Sequence, residues 1–167
     1  MTQPTTTANP AAAHQAHRFH EAVLIAFGVA LIAFIADGFG HWTGVAAFAP
    51  PLGASLFLMV GLPESAMSQP RSVIGGHLVC AIISILVAQY VPVASAVVPL
   101  AFFLSVFAMI QARVIHAPAA ATIYLVAAHP TGFEVLASPF LPGLAVILAL
   151  ATVYNRLRGH KYPRHWL

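Results

Sequence analysis

Residues 72–112 carry no Asp, Glu, Lys or Arg, and neither do residues 38–63, 114–133 or 135–155. Between Arg18 and Asp37 only Glu21 is charged. A helix needs about 20 mainly apolar residues to cross a bilayer, so the longest run has room for two. Spanning helices require such runs, because hydrocarbon solvates neither charges nor unpaired backbone, and little else tolerates them. Soluble domains are about a quarter charged; here the share is 7%, beside 60% hydrophobic residues. The chain reads as an all-α polytopic membrane protein.

Six membrane-entering segments follow, near residues 20–36, 43–62, 73–90, 93–112, 114–129 and 137–155. Breaks fall at DGFGH (Asp37 to His41), PESAMSQP (Pro63 to Pro70), VPV (Val91 to Val93) and HPTG (His129 to Gly132), all rich in turn formers or charge. Residues 1–19 form a polar Pro/Thr-rich tail expected to be disordered, with no signal peptide expected. Residues 20–157 form a single transmembrane domain, and 158–167 a basic C-terminal tail. Four of the seven cations lie in the last dozen residues, at Arg156, Arg158, Lys161 and Arg164. That places both termini in the cytoplasm, with a bacterial inner (plasma) membrane as the expected location. Six crossings put Arg18, Arg71 and Arg113 inside and Asp37 and Glu134 outside; four crossings with re-entrant second and fifth segments are the rival. Trp42, Tyr90 and Tyr154 are expected at the interface.

The two halves resemble each other. PLGAS (Pro51 to Ser55) and PAAAT (Pro118 to Thr122) share an offset of 67 positions, pairing Gly53 with Ala120, Ala54 with Ala121, Ser55 with Thr122 and Gly76 with Gly143. Residues 20–90 and 87–157 therefore read as two three-segment repeats, each with a proline-broken middle segment. An odd number of crossings inverts one repeat relative to the other, a plan found in transporters. Proline suits the first turn of a helix, and a helix N-terminus offers N–H groups and partial positive charge to anions. The expectation is one central cavity lined by Gly53, Ala54, Ser55, Ala120, Ala121 and Thr122, with His116 and either Arg71 or Arg113 facing it. The competing reading is close helix packing, the usual use of Gly and Ala in membranes and of the GxxxG spacing from Gly40 to Gly44.

Ionisable side chains at membrane depth are costly and mark function, so His77 and His116 join the candidates, as substrate-binding groups or proton carriers. His14, His17 and His20 lack the Cys or carboxylate pattern that completes a metal site. No cofactor is expected. The lone Cys80 excludes an internal disulfide, and the net charge of +3, carried largely by the tail, does not point to nucleic acid.

PRSVIGGH (Pro70 to His77) resembles the Pro-Arg-Asn-x-x-Gly-Gly-His signature of the HPP family of integral membrane proteins. LGAS (Leu52 to Ser55) resembles its Phe-Gly-Ala-Ser stretch, and HAPAAAT (His116 to Thr122) its His-Pro-Pro-Ala-Gly-Ala-Thr. Ser72, Ala117 and Ala120 stand where the family has Asn, Pro and Gly. The resemblance implies four spans and, from members in plastids and cyanobacteria, nitrite transport.

The expected function is a transporter or channel for a small inorganic anion, nitrite-like, embedded in lipid; a homo-oligomer stays open. The alternative is a non-transporting scaffold that binds partner helices through Gly/Ala faces. An enzyme is not expected, since there are four carboxylates in all and no Ser–His or His–Glu motif.

Overall fold

The structure, a computed structural model, describes residues 10–43, 50–128, 132–164 and 166. Six α-helices account for most of them: α1 (Pro10–Thr43), α2 (Pro50–Gly61), α3 (Pro70–Tyr90), α4 (Ala94–Gln111), α5 (Ala119–Ala128) and α6 (Leu141–Leu157). A 3-10 turn (Ala66–Ser68) precedes α3, and a π turn (Leu136–Phe140) leads into α6.

Four helical stretches are long and apolar enough to cross a membrane: His17–Thr43, Pro70–Tyr90, Ala94–Gln111 and Leu136–Leu157. At 1.5 Å per residue, α2 and α5 reach only about 18 and 15 Å, roughly half of a hydrocarbon layer. Proline marks the described start of each. Pro50 and Pro51 open α2, and Pro118 immediately precedes α5, because a residue without an N–H starts a helix but does not continue one.

Contacts show which ends lie together. Arg158 pairs with Glu21, Tyr162 Oη donates to the Ser68 carbonyl at 2.7 Å, and Arg71 Nη2 donates to the Ala112 carbonyl at 3.4 Å. The start of α1, the 62–69 loop, the end of α4 and the C-terminal tail therefore share one end, the basic end, which holds Arg18, Arg71, Arg113, Arg156, Arg158, Lys161 and Arg164. Asp37, the 91–93 turn and Glu134 lie at the other. After α4, residues 114–116 run inward as irregular chain, a turn follows at 117–118, and α5 continues until Ala127 lies beside Ala88, Val91 and Pro92. Segment two works the other way: Pro50 and Pro51 share a recess with Phe102 and Tyr124, while Met59 at the far end of α2 accepts from Asn155 Nδ2 at 3.0 Å. Four helices are thus long enough to cross, while α2 and α5 cover part of that distance and run in opposite directions.

Two apolar cores result. One joins α1, α2 and α6 through Ile32, Leu56, Met59, Leu144 and Ile147; the other joins α3, α4 and α5 through Cys80, Val97, Ala101 and Ile123. Bulky residues such as Phe34 and Phe103 point outward, as a lipid-facing surface requires. Since lipid is as apolar as these cores, close packing must supply the cohesion. Gly28 provides an example: a Cβ there would lie 2.4 Å from the Tyr154 ring.

Several expectations are corrected. The helix α1 begins at Pro10, inside the stretch expected to be a disordered tail, because Ala11, Ala12, Ala13 and Ala16 are strong helix formers behind a first-turn proline. It also runs through DGFGH without a break. Two glycines cost about 1 kcal/mol each in a helix, too little to end one of 34 residues, and His41 bridges to Asp37 one turn back at 3.3 Å. Tyr154, expected at the interface, donates to the Leu24 carbonyl and so ties α6 to α1. The 158–164 tail folds back: Tyr162 is 2% exposed, and Arg164 bonds Gln69 and Glu64. Near α6 the break is sharper than expected, since Ser138, held before Pro139, is extended at φ −155° and ψ 125°. Gly44, Ala49, His129 and Pro130 lie outside the described residues.

Candidate functional site

The two apolar cores meet at four wholly buried polar side chains: Ser55 from α2, His77 from α3, His116 from the extended stretch before α5, and Thr122 from α5 itself. Ser55 Oγ lies 2.7 Å from His77 Nε2 and 2.8 Å from His116 Nε2. The other nitrogen of His77 lies 2.8 Å from Thr122 Oγ1, and that of His116 lies 2.7 Å from the Met67 carbonyl. Ser55 Oγ is also 2.9 Å from the Pro51 carbonyl, four residues back on its own helix.

Local sequence explains why these groups converge. Gly75 and Gly76 strip one face of α3, so the extended chain lies directly on it: a Cβ on Gly75 would come 2.8 Å from Val114, and one on Gly76 2.7 Å from the His116 Cβ. His77 follows on the same helix, and Pro118 turns the chain into α5 so that Thr122 comes back to the ring. The two imidazoles stand edge to face at 5.0 Å, and Phe140 from the π turn closes the far side of His77 at 5.3 Å.

The 67-residue offset gains a geometric meaning here. Its paired hydroxyls, Ser55 and Thr122, bond the two nitrogens of one ring. The histidines break the repeat, for position 144 holds Leu where an echo of His77 would stand, and Ala49 occupies the counterpart of His116.

Not every candidate joins the cluster. Pro50, Pro51, Phe102, Ala120, Ala121, Tyr124 and Leu125 line an open apolar recess of ≈ 530 Å³, and the four polar side chains form none of its wall. Gly53 is half-buried and Ala54 exposed. The single cavity expected for Gly53, Ala54, Ser55, Ala120, Ala121 and Thr122 is instead a closed polar cluster and a separate apolar recess, because direct hydrogen bonds draw the hydroxyls and rings together. Arg71 and Arg113 are exposed at the basic end and face neither. The backbone donors at the start of α5 are also occupied. The N–H groups of Ala119, Ala120 and Ala121 bond the carbonyls of His116, Ala117 and Pro118 at 3.0–3.1 Å.

Met67, Phe140 and Tyr162 had no signal in the sequence. Met67 acts through its carbonyl, which any residue has; Phe140 is one of 11 phenylalanines; and Tyr162 stands in a stretch that reads as tail. Among the described residues no three His, Cys, Asp or Glu side chains gather as a metal site would require. The cluster can hold or pass a proton, since each imidazole carries two nitrogens and each hydroxyl both donates and accepts.

The sequence model of one family, described as "HPP, transmembrane region", matches residues 10–163. A Dictyostelium discoideum protein described as a transmembrane protein is 30% identical over 122 residues, covering 68% of this chain and 43% of the relative. The chain thus spans less than half the length of that curated relative. No solved structure matches it.

Proposed function

The chain belongs to the HPP transmembrane family and is an integral membrane protein, and from that premise we propose that it transports a small inorganic anion of the nitrite type. The observation that carries this reading is the cluster of Ser55, His77, His116 and Thr122, wholly buried where two half-length helices meet α3. Helix packing alone is served as well by alanine. Polar and ionisable groups at this depth are retained where a solute or an ion must be handled. Two discontinuous segments meeting inside the layer, one from each half, agree with the plan of transporters.

The anion meets side chains rather than free helix-end N–H groups, since those of α5 are already bonded. Arg71 and Arg113 stand at the basic end, where exposed positive charge raises the local anion concentration in a salt-dependent way. By the positive-inside tendency that end is cytoplasmic.

Uptake of nitrite, nitrate, formate and chloride into liposomes holding the purified protein tests the proposal, with protein-free liposomes as the baseline. Protein-dependent nitrite uptake is expected, and Arg71→Gln should slow it more at low salt than at high salt. No protein-dependent flux of any of the four anions overturns it. The recess around Pro51 and Ala121 favours one other reading, a scaffold that seats a partner helix there. Such a protein has no flux and loses its partner when Ala121 is enlarged.

A further inference from the structure

The hydrogen-bond pattern of the cluster dictates where its protons lie. The Met67 carbonyl can only accept, so His116 Nδ1 carries a proton toward it at 2.7 Å. In a neutral His116 the other nitrogen, Nε2, is then bare, and Ser55 donates to it. Ser55 Oγ in turn accepts from His77 Nε2–H, and Thr122 donates to His77 Nδ1. Every donor points the same way, from Thr122 through His77 and Ser55 to His116 and Met67.

One contact is left over. The Pro51 carbonyl, 2.9 Å from Ser55 Oγ, also only accepts. Ser55 has one proton, and the neutral arrangement gives it to His116. Adding a single proton at His116 Nε2 resolves the conflict. His116 then donates to Ser55 Oγ, which accepts from both imidazoles with its two lone pairs, and the Ser55 hydroxyl turns to Pro51. All five contacts are satisfied together, and the two arrangements differ by one proton and one O–H rotation.

We propose that the cluster is a binding site for one proton, held on His116 Nε2, which is taken up together with the transported anion. This rests on the anion-transport reading above. A bare imidazolium is costly in a layer without water, and an anion beside it offsets that cost, so each favours entry of the other. The proton comes from hydronium on one side and returns to water on the other, forming and then breaking one N–H bond. Charge state reaches the backbone through Ser55, whose rotation makes or breaks a bond to the first turn of α2. The neighbouring elements leave His116 without a competing partner. Among the described residues no carboxylate bonds either ring: Glu64 in the loop pairs with Arg164, Arg71 on α3 and Arg113 after α4 are at the surface, and the Tyr162 hydroxyl is committed to Ser68.

Two measurements on the full chain test the proposal. With isotope-labelled histidine in lipid nanodiscs, ring-nitrogen NMR shifts are followed as pH falls, with and without nitrite. His116 should become doubly protonated, more readily with nitrite, while His77 stays singly protonated. In liposomes with a trapped pH dye, nitrite uptake should carry protons inward beyond the protein-free baseline, and His116→Gln should abolish that movement. Nitrite uptake without proton uptake, with His116 singly protonated throughout, overturns the proton site and leaves transport standing. Protonation of His116 without protein-dependent uptake of any of the four anions ends the anion reading and leaves the proton site in place.

Discussion

At Gly76 one methyl group decides whether the extended chain can lie against α3. A Cβ there would stand 2.7 Å from the His116 Cβ and 3.0 Å from the Val114 carbonyl, and neither is the free end of a flexible side chain. Gly76→Ala should therefore cost about 1–3 kcal/mol and lengthen the bonds of His116. Gly38, with nothing within 4 Å, is the control: Gly38→Ala should stabilise by up to about 1 kcal/mol. Thermal unfolding of both variants in one detergent checks the pair, and similar shifts would mean that residues 114–116 give way freely. Tyr162→Phe keeps the buried ring but strands the Ser68 carbonyl, at a cost of about 1 kcal/mol. Burial pushes the Tyr162 phenol above its ordinary value. Its stabilising contribution is thus full below the unfolded value of about 10 and drains away as pH rises past it. Loss of stability at alkaline pH should accordingly be weaker in Tyr162→Phe than in the parent. The four cluster residues were legible because a hydroxyl recurs at a fixed offset and histidine is conspicuous in an apolar run. Their carbonyl partners were not, since a backbone acceptor has no sequence signature.

The end of α4 shows how an element is closed against its own preference. Arg113 sits at φ 56°, and its N–H and that of Val114 return to the Ile110 and Met109 carbonyls at 3.1 and 3.0 Å. Glycine ordinarily fills this left-handed position, as Gly159 does at φ 81° beyond α6. An L residue there costs roughly 1–2 kcal/mol, so Arg113→Gly should raise the unfolding temperature, whereas Arg113→Gln should leave it unchanged. If both also slow nitrite entry at low salt, the charge accounts for the arginine; stabilisation without any change in flux would make it a packing accident. Proline predicted the starts of α2 and α5 because its chemistry acts locally. The false break at Asp37–His41 arose because glycine only weakens a helix, and whether it ends one depends on everything packed around it.

Across the whole molecule, the cations occupy one end while Asp37 and Glu134 occupy the other. This asymmetry predicts the orientation of every segment. Single cysteines at Ala66 and Pro92, both exposed, introduced into a Cys80→Ala background, should label from the cytoplasmic and the external side respectively. Labelling in the opposite sense would reverse the molecule in the membrane, and labelling of both from one side would end the alternating path. Hydrophobicity revealed where the apolar segments lie but not their form, because a short helix behind irregular chain has the same apolar length as a continuous one. The repeat was similarly half legible. It paired the two hydroxyls that bond the ring of His77, yet neither histidine has a counterpart at the offset, so the cluster is built on departures from the repeat.

The fold-back of Tyr162 onto Ser68 has a consequence for biogenesis. The contact joins residues 94 positions apart, and its later partner emerges from the ribosome after all six segments. Until then the 62–69 loop, with the Met67 carbonyl that bonds His116, is held by nearer contacts, from Ser68 to the Leu58 and Leu62 carbonyls and from Gln69 to that of Pro63. The last tie on this loop is therefore made only after α6 has been translated.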